Sequence, residues 1–308
     1  EEWVVYRIAL LRYATHTLSF DQSRGRGECG VTQLAHALHS VDQLAFNLVS
    51  DLFHLRIRTE RPESYPERQI ITIDEAPWVL DCPGYDPPYY VAQSVLDNQR
   101  PQGWADPEDL AGLRGELQER PARHHDDAGR PLNPTGRTGI AGRGLLGLWG
   151  RNLSVAGVLV RSAGEPDELE IALGQAPDQA RLELPKGFVL PGEDPDDAMA
   201  RVLEAEVGSR PASSGEVLSE GYTYDSRQTD HAWVETRALL FFDADGRLPD
   251  LLTPGGDFEE VKWQPLDAAT INRVPSGQAV YLRAAVQRLG ESGRLASATA
   301  ESLLASTG

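Results

Sequence analysis

Lysine, cysteine and methionine are scarce in this chain. Lys186 and Lys262 are the only lysines among 29 basic residues, which face 47 acidic ones and leave a formal net charge of −18. Gripping a phosphate backbone needs clustered cations that are missing here, so nucleic acid is not an expected partner. An anionic membrane surface is disfavoured for the same reason. The two cysteines, Cys29 and Cys82, lie far apart with no CxxC spacing. A disulfide framework or zinc site is therefore not expected, and a reducing cytosol fits. No apolar run approaches the roughly eighteen residues of a membrane span. There is no initiator methionine and no signal peptide, so the chain is expected to be a segment of something longer. Nor does any histidine sit in a recognisable motif with a serine or cysteine nucleophile. What remains is the composition of a globular protein, 40% apolar and 25% charged, long enough for one large domain or two.

Residues 1–60 read as helical. Apolar residues at Leu34, Leu38, Val41, Ala45, Leu48, Leu52 and Leu55 step alternately by four and three, a heptad seam of about three repeats. That pattern fits either a coiled-coil connector or an amphipathic helix packed on its own domain. His36 and His39 point away from the seam and are expected to be solvated. "RTERPESYPERQ" (58–69) reads as a charged linker, and "APWVLDCPGYDPPYYVAQSVL" (76–96) as extended segments. Residues 98–132 are polar and broken by proline and glycine, a surface excursion. Within them "RHHDDAG" (123–129) is either a metal cluster or, the better reading, a flexible charged loop.

From Val155 the texture changes. "VAGVLVRS", "ELEIAL" and "RLELP" read as short strands, "HAWVETRALLFFD" as a long one ending at the turn pair Asp245-Gly246, and "EVKWQPL" as another. "SGQAVYLRAAVQRLG" closes as a helix with Ser276 as expected N-cap and Ala279, Leu282, Val286 and Leu289 on one face. The tail from Glu291 is small and polar and is expected to fray. Interleaved strands and helices predict a mixed domain of α and β structure.

The most informative stretch is "LPKGFVLPGEDPDDAMARVLEAEVG" (184–208). Asp194 can cap a helix, Pro195 suits its first position, Asp196 and Asp197 favour its positive end, and Gly208 supplies the stop. A helix over 195–207 follows. Before it, Gly187 and Gly192 permit a tight loop whose backbone donors could face a phosphate. Gly187, Glu193, Arg201, Leu203, Glu206 and Gly208 stand at the spacing of a Nudix box, and the stretch resembles one. "NPTGRTGIAGRGLLGLWG" (133–150) and "DSRQTDHAWVET" (225–236) resemble signatures of the ADP-ribose pyrophosphatase branch of that family. They are equally similar to the cytosolic C-terminal sensor domain of melastatin-type TRP cation channels. "SYPERQ" and "YDPPYYVA" resemble the start of the same domain, so the likeness runs from about Ser64 to Gly290.

The resemblance implies an α+β fold, a Nudix α/β/α sandwich with an N-terminal lobe. The expected organisation is a helical connector (1–60), the lobe (61–150), the Nudix core (151–290) and a tail (291–308). It also implies a Mg2+-dependent site, and here the chain departs from the pattern. An active box places glutamates where this one has Val202, Ala205 and Glu206, positions that share one helix face. Converging carboxylates hold the cations that neutralise the pyrophosphate and orient water. Only Glu206 survives; Glu204 lies nearly opposite on the helix. Glu193 remains, but in this motif it pairs with the arginine, here Arg201, tying loop to helix. Lys186 replaces a usual glycine and is either a cation beside the ligand's phosphates or a solvated loop residue.

By the same resemblance Asp225 is expected toward a ribose hydroxyl and Arg227 toward ribose or phosphate, with Leu184, Pro185 and Gly187 beneath the pyrophosphate. "GRTGIAGRG" is neither a Walker loop nor a GxGxxG fingerprint; its Arg137 and Arg143 either approach phosphates or shape the join between lobes. "GRNL" (150–153) and Gly277-Gln278 replace residues the family places near the terminal ribose. Glu235 is either a base facing the cleft or a satisfied structural glutamate. The expected function is a sensor that binds ADP-ribose with little or no hydrolysis, with Glu206 the one residual metal ligand. It would gate a tetrameric cation channel from the cytosolic side, joined through the N-terminal helix. The alternative is a Mg2+-dependent ADP-ribose pyrophosphatase releasing AMP and ribose 5-phosphate, with Glu206 and Glu193 as its remaining catalytic carboxylates.

Overall fold

A computed structural model describes residues 56–306 apart from positions 73, 121, 165–166, 178–180, 211–213, 245 and 247. The heptad seam at 34–55, with His36, His39 and Cys29, lies outside the described residues, as does the expected turn residue Asp245. One helical turn, α1 (Arg56–Thr59), precedes a lobe of short elements: β1 (Tyr89–Val91), α2 (Gln93–Asp97), α3 (Arg114–Glu119), β2 (His124–His125), β3 (Pro131–Leu132) and β4 (Ala141–Gly144). Then follow β5 (Gly150–Ser162), β6 (Leu169–Gln175), β7 (Lys186–Phe188), α4 (Pro195–Val207), β8 (Glu216–Tyr222) and β9 (Ala232–Asp243). The described chain closes with β10 (Glu260–Pro265), α5 (Ala268–Ile271), α6 (Ser276–Glu291) and α7 (Ser297–Ser306).

The main sheet runs β10-β6-β5-β9-β8, with β7 added beside the first half of β5. Its centre is the parallel pair β5 and β9, in register from Gly150↔Ala232 to Arg161↔Asp243; the other pairings are antiparallel. Both faces are covered, which explains why residues 155–160 of β5 are an unbroken, buried apolar run rather than an alternating one. Val155 and Leu159 pack toward α4 with Met199 and Leu203. Ala156, Val158 and Val160 pack on the other face with Leu282, Val286 and Leu289 of α6. Helix, sheet and helix thus stack as an α/β/α sandwich, the α+β architecture expected.

Several local expectations need correction. "RLELP" is not a strand; only a single bridge joins Glu183 to Gly174. Ser276 is the first residue of α6 rather than its cap; Pro275 holds the cap position, and the Ser276 hydroxyl accepts from Arg56 at 2.9 Å. The tail does not fray after Glu291: α7 folds back on α6, burying Ala300 where Gly290 leaves no side chain to obstruct it. "RHHDDAG" is a tight hairpin between β2 and β3, closed by Asp126, which accepts from Arg130 N at 2.8 Å and Arg130 Nε at 2.7 Å. Residues 98–132 are also more than a surface excursion. Asp106 is fully buried between Arg100 and Arg120, and Leu113 and Leu117 pack on Trp149.

Candidate functional site

The site is built on α4 and on β7, which lies against it. Local sequence folds α4 as expected: Asp194 accepts from Asp196 N at 2.8 Å, and Gly208 ends the helix at φ 66°. Between strand and helix the loop is pinned by a fork. Arg201 donates to both oxygens of Glu193 at 2.7 Å and to the Phe188 carbonyl at 2.9 Å, while Glu193 accepts from Leu190 N. Glu193 is therefore spent on holding loop to helix. The Arg201 guanidinium holds its carboxyl below the usual glutamate range.

The helix face toward β7 carries the chemistry. Val202 is only 3% exposed and packs on Gly187 so closely that a Cβ there would lie 2.6 Å from it. Ala205 and Glu204 are exposed. Glu206 is 6% exposed and accepts from the Lys186 backbone N–H at 3.1 Å. Burial first, and then the nearby negative charge of Asp257, push its carboxyl up to about 7, against the opposing pull of Lys186. Among the described residues no three His, Cys, Asp or Glu side chains converge on a point that could hold a metal ion. This donor set does not fit a two-metal catalytic centre, which needs several carboxylates.

Lys186 keeps its side chain largely exposed at the rim of the loop. Its ammonium pairs with Glu183, and desolvation lowers its pKa despite the acidic groups Glu206, Asp257 and Asp225 around it. Arg227 forms a bidentate fork on Asp225, at 2.8 and 2.6 Å, with its guanidinium 5.1 Å above the Phe188 ring. Strand β7 and the 225–227 turn therefore bring Lys186, Gly187, Glu206, Asp225 and Arg227 to one end of the sheet. Leu184 turns its side chain into the core, and its N–H is taken by Gln278 Oε1 at 2.8 Å. The Pro185 carbonyl accepts from Gly157 N at 2.9 Å. A cavity of about 580 Å³ is lined by Tyr222, Tyr224, Tyr281 and Gly277, and by none of Lys186, Gly187, Glu206, Asp225 and Arg227. A second, of about 820 Å³, lies in the lobe between Tyr89 and Trp149.

Two expected ligand residues are not in the site. Arg137 turns inward and spends its fork on the carbonyls of Glu75, Pro77 and Leu80 at 2.7–2.9 Å, beneath Trp78 and Tyr85. Arg143 is completely buried, bonded to the Asp106 and Gly147 carbonyls and paired with Glu108. The glycine-rich stretch thus shapes the lobe. A Cβ at Gly136 would lie 2.2 Å from the Ala76 carbonyl, so only glycine permits that close approach. Glu235 is satisfied structurally by Trp233 Nε1 at 3.0 Å and by Arg151.

Reading the sequence assigned no structural role to three groups that organise the site. Asp230, 2% exposed, accepts from Tyr85 Oη, Thr138 N and Thr138 Oγ1 at 2.7–2.9 Å, fastening the glycine-rich stretch to the start of β9. Asp257 faces Glu206 across the helix end. Gln278 bridges Leu184 and Glu183, at the place where the family pattern was already noted to change. Asp230 lies within the 225–236 motif and Gln278 in the Gly277-Gln278 departure; nothing local marks Asp257.

Comparison with known proteins agrees with this geometry. Residues 71–150 match the family model described as "NUDT9-like, N-terminal domain" and residues 150–285 match "NUDIX domain". The chain is 31% identical over 260 residues to a mitochondrial ADP-ribose pyrophosphatase of Rattus norvegicus, covering 70% of this chain and 73% of that protein. It is 36% identical over 144 residues to putative nudix hydrolase 6 of Caenorhabditis elegans, covering 44% of this chain and 55% of that one. It is 32% identical over 266 residues to the transient receptor potential cation channel subfamily M member-like 2 of Nematostella vectensis. That match covers 72% of this chain and only 17% of the channel. A sandwich with a box-bearing helix, an N-terminal lobe of matching type, and this degree of identity together place the chain in the Nudix family.

Proposed function

We propose that this Nudix domain binds ADP-ribose, or a close nucleotide-diphosphate relative, and does not hydrolyse it efficiently. The observation that carries this is the helix face itself: Val202 is packed into Gly187, Ala205 has no carboxylate, and Glu206 alone remains. Glu206 can help hold one magnesium ion that keeps its waters and ligand oxygens, but the face does not supply a second metal. Arg227, with Asp225, is the group suited to the ligand: a planar fork matches phosphate and diol oxygens. Lys186 adds a cation beside it and so partly stands in for absent metal charge. Support for the ligand comes from the pyrophosphatase relative, and for a sensor role from the channel relative.

In this reading the domain is the cytosolic sensor of a larger cation-channel assembly, joined as a tetramer through residues 1–60. No helix among the described residues is long and apolar enough to cross a membrane. Phosphorus NMR of the chain with ADP-ribose and magnesium tests the reading. Shifted or broadened pyrophosphate signals that stay intact over hours are expected. Conversion to two monophosphate signals would overturn it in favour of a magnesium-dependent pyrophosphatase, the reading that identity to the mitochondrial enzyme favours.

A further inference from the structure

The segment that enters the domain contributes nothing to the site described above, yet its side chains end on the backbone of the loop that carries Asp225 and Arg227. Tyr65 is 3% exposed; its hydroxyl donates to the Arg227 carbonyl at 2.7 Å and accepts from Leu145 N at 2.6 Å. Arg68, 8% exposed, donates through Nη2 to the carbonyls of Ser226 and Gln228, each at 3.0 Å. Its other nitrogens reach the carbonyls of Thr138 and Glu60 at 3.1 and 3.0 Å. Three consecutive carbonyls, 226 to 228, are therefore held by two side chains about 160 residues away in sequence. Upstream, Arg56 lies 4.3 Å above the Tyr224 ring, whose hydroxyl bonds Glu60, so the flank of the loop is fastened to the same segment. A Cβ at Gly144 would fall 2.0 Å from the Tyr65 hydroxyl oxygen; only glycine leaves room for this arrangement.

Burying Arg68 among neutral carbonyls is costly, because desolvation disfavours the charged fork and no carboxylate is hydrogen-bonded to it. Partners of that kind make sense where a guanidinium's several donors in fixed directions are needed at once. We propose that Tyr65 and Arg68 are positioning residues of the ligand loop. They fix the peptide planes at 226–228, and so the direction in which the Arg227 fork leaves the backbone. This inference rests on the reading of Asp225 and Arg227 as ligand contacts. Coupling is reciprocal: a ligand that grips Arg227 also orders residues 57–69, and loosening those residues weakens the ligand.

The test uses the whole chain with Tyr65→Phe, Arg68→Lys and Arg68→Met, read by amide hydrogen exchange without ligand and by calorimetric titration with ADP-ribose. Tyr65→Phe is expected to speed exchange at 226–229 and weaken ADP-ribose by about fivefold, the factor that one net hydrogen bond supports. The unfolding midpoint should fall only a few degrees, so that the domain is folded throughout the titration. Arg68→Lys should recover part of what Arg68→Met loses, since one ammonium can serve some of the carbonyls but not all. In the wild-type chain, ADP-ribose should slow exchange at 57–69. Unchanged exchange at 226–229 in all three variants would overturn the proposal. If the wild-type chain binds no ADP-ribose, the ligand reading fails, and the exchange arm still decides whether Tyr65 and Arg68 hold the loop.

Discussion

Glu206 should make this domain less stable as pH rises through neutrality, and removing its charge should abolish that loss. Its ordinary pKa is 4.5; burial, reinforced by Asp257, raises it to about 7 in the folded protein. A folded-state pKa above the unfolded one means that the native state prefers the protonated carboxyl. The associated stability is fully present below about pH 4.5 and is lost as pH rises through about 7. The 2.5-unit difference, at about 1.36 kcal/mol per unit, sets a loss of about 3 kcal/mol between those limits. Glu206→Gln keeps an oxygen to accept from Lys186 N–H and has no charge to desolvate. Urea unfolding of both proteins at pH 5, 6, 7 and 8 measures the effect. The variant should match wild type near pH 5 and exceed it by about 2–3 kcal/mol at pH 8, or roughly 5–10 °C in midpoint for a domain of this size. Parallel stability curves for the two proteins would refute the reasoning, since Glu206 would then be solvated enough to ionise freely.

Restoring carboxylates by Val202→Glu with Ala205→Glu should cost about 2–4 kcal/mol without metal, because a packed valine is exchanged for a charge against Gly187. Magnesium should return part of that stability and bring ADP-ribose hydrolysis; a variant whose unfolding ignores magnesium would sink this account of the face. Arg227→Ala should weaken ADP-ribose by roughly ten- to a hundredfold by calorimetry, the range for losing a charge-assisted fork, while shifting the unfolding midpoint little. An unchanged affinity would remove Arg227 from the site. Asp230→Ala strands two buried donors, Tyr85 Oη and Thr138 N, leaves Thr138 Oγ1 only the Ile140 carbonyl at 3.3 Å, and should destabilise by about 3 kcal/mol in urea. A loss below 1 kcal/mol would mean that the lobe is fastened elsewhere.

The helix at 195–207 was legible because every signal for it is local: Asp194, Pro195 and Gly208 act within a turn of where they stand. The sheet's central strands were legible for a related reason, since apolar runs bounded by turn residues need no knowledge of their partner. The Glu193–Arg201 fork was an expectation carried by the resemblance to a Nudix box, and the structure forms it. Boundaries shifted where tertiary packing intervened, as at Ser276, whose hydroxyl is engaged by Arg56, and in the tail, where Gly290 lets α7 dock.

From its sequence alone the chain determined which residue types stand on the helix face, and so that Val202 and Ala205 leave Glu206 without companions. It could not determine where each arginine fork points. Arg137, Arg143 and Arg227 look alike in a glycine-rich or polar motif, but two of them close on carbonyls from residues 75–80 and 106–147, and only the third faces Asp225 beside β7. That choice depends on which backbone carbonyls lack partners once the lobe folds, a property of contacts between distant segments. The same holds for Glu206: its identity is local, but its elevated pKa comes from burial under β7 and from Asp257, 51 positions further on.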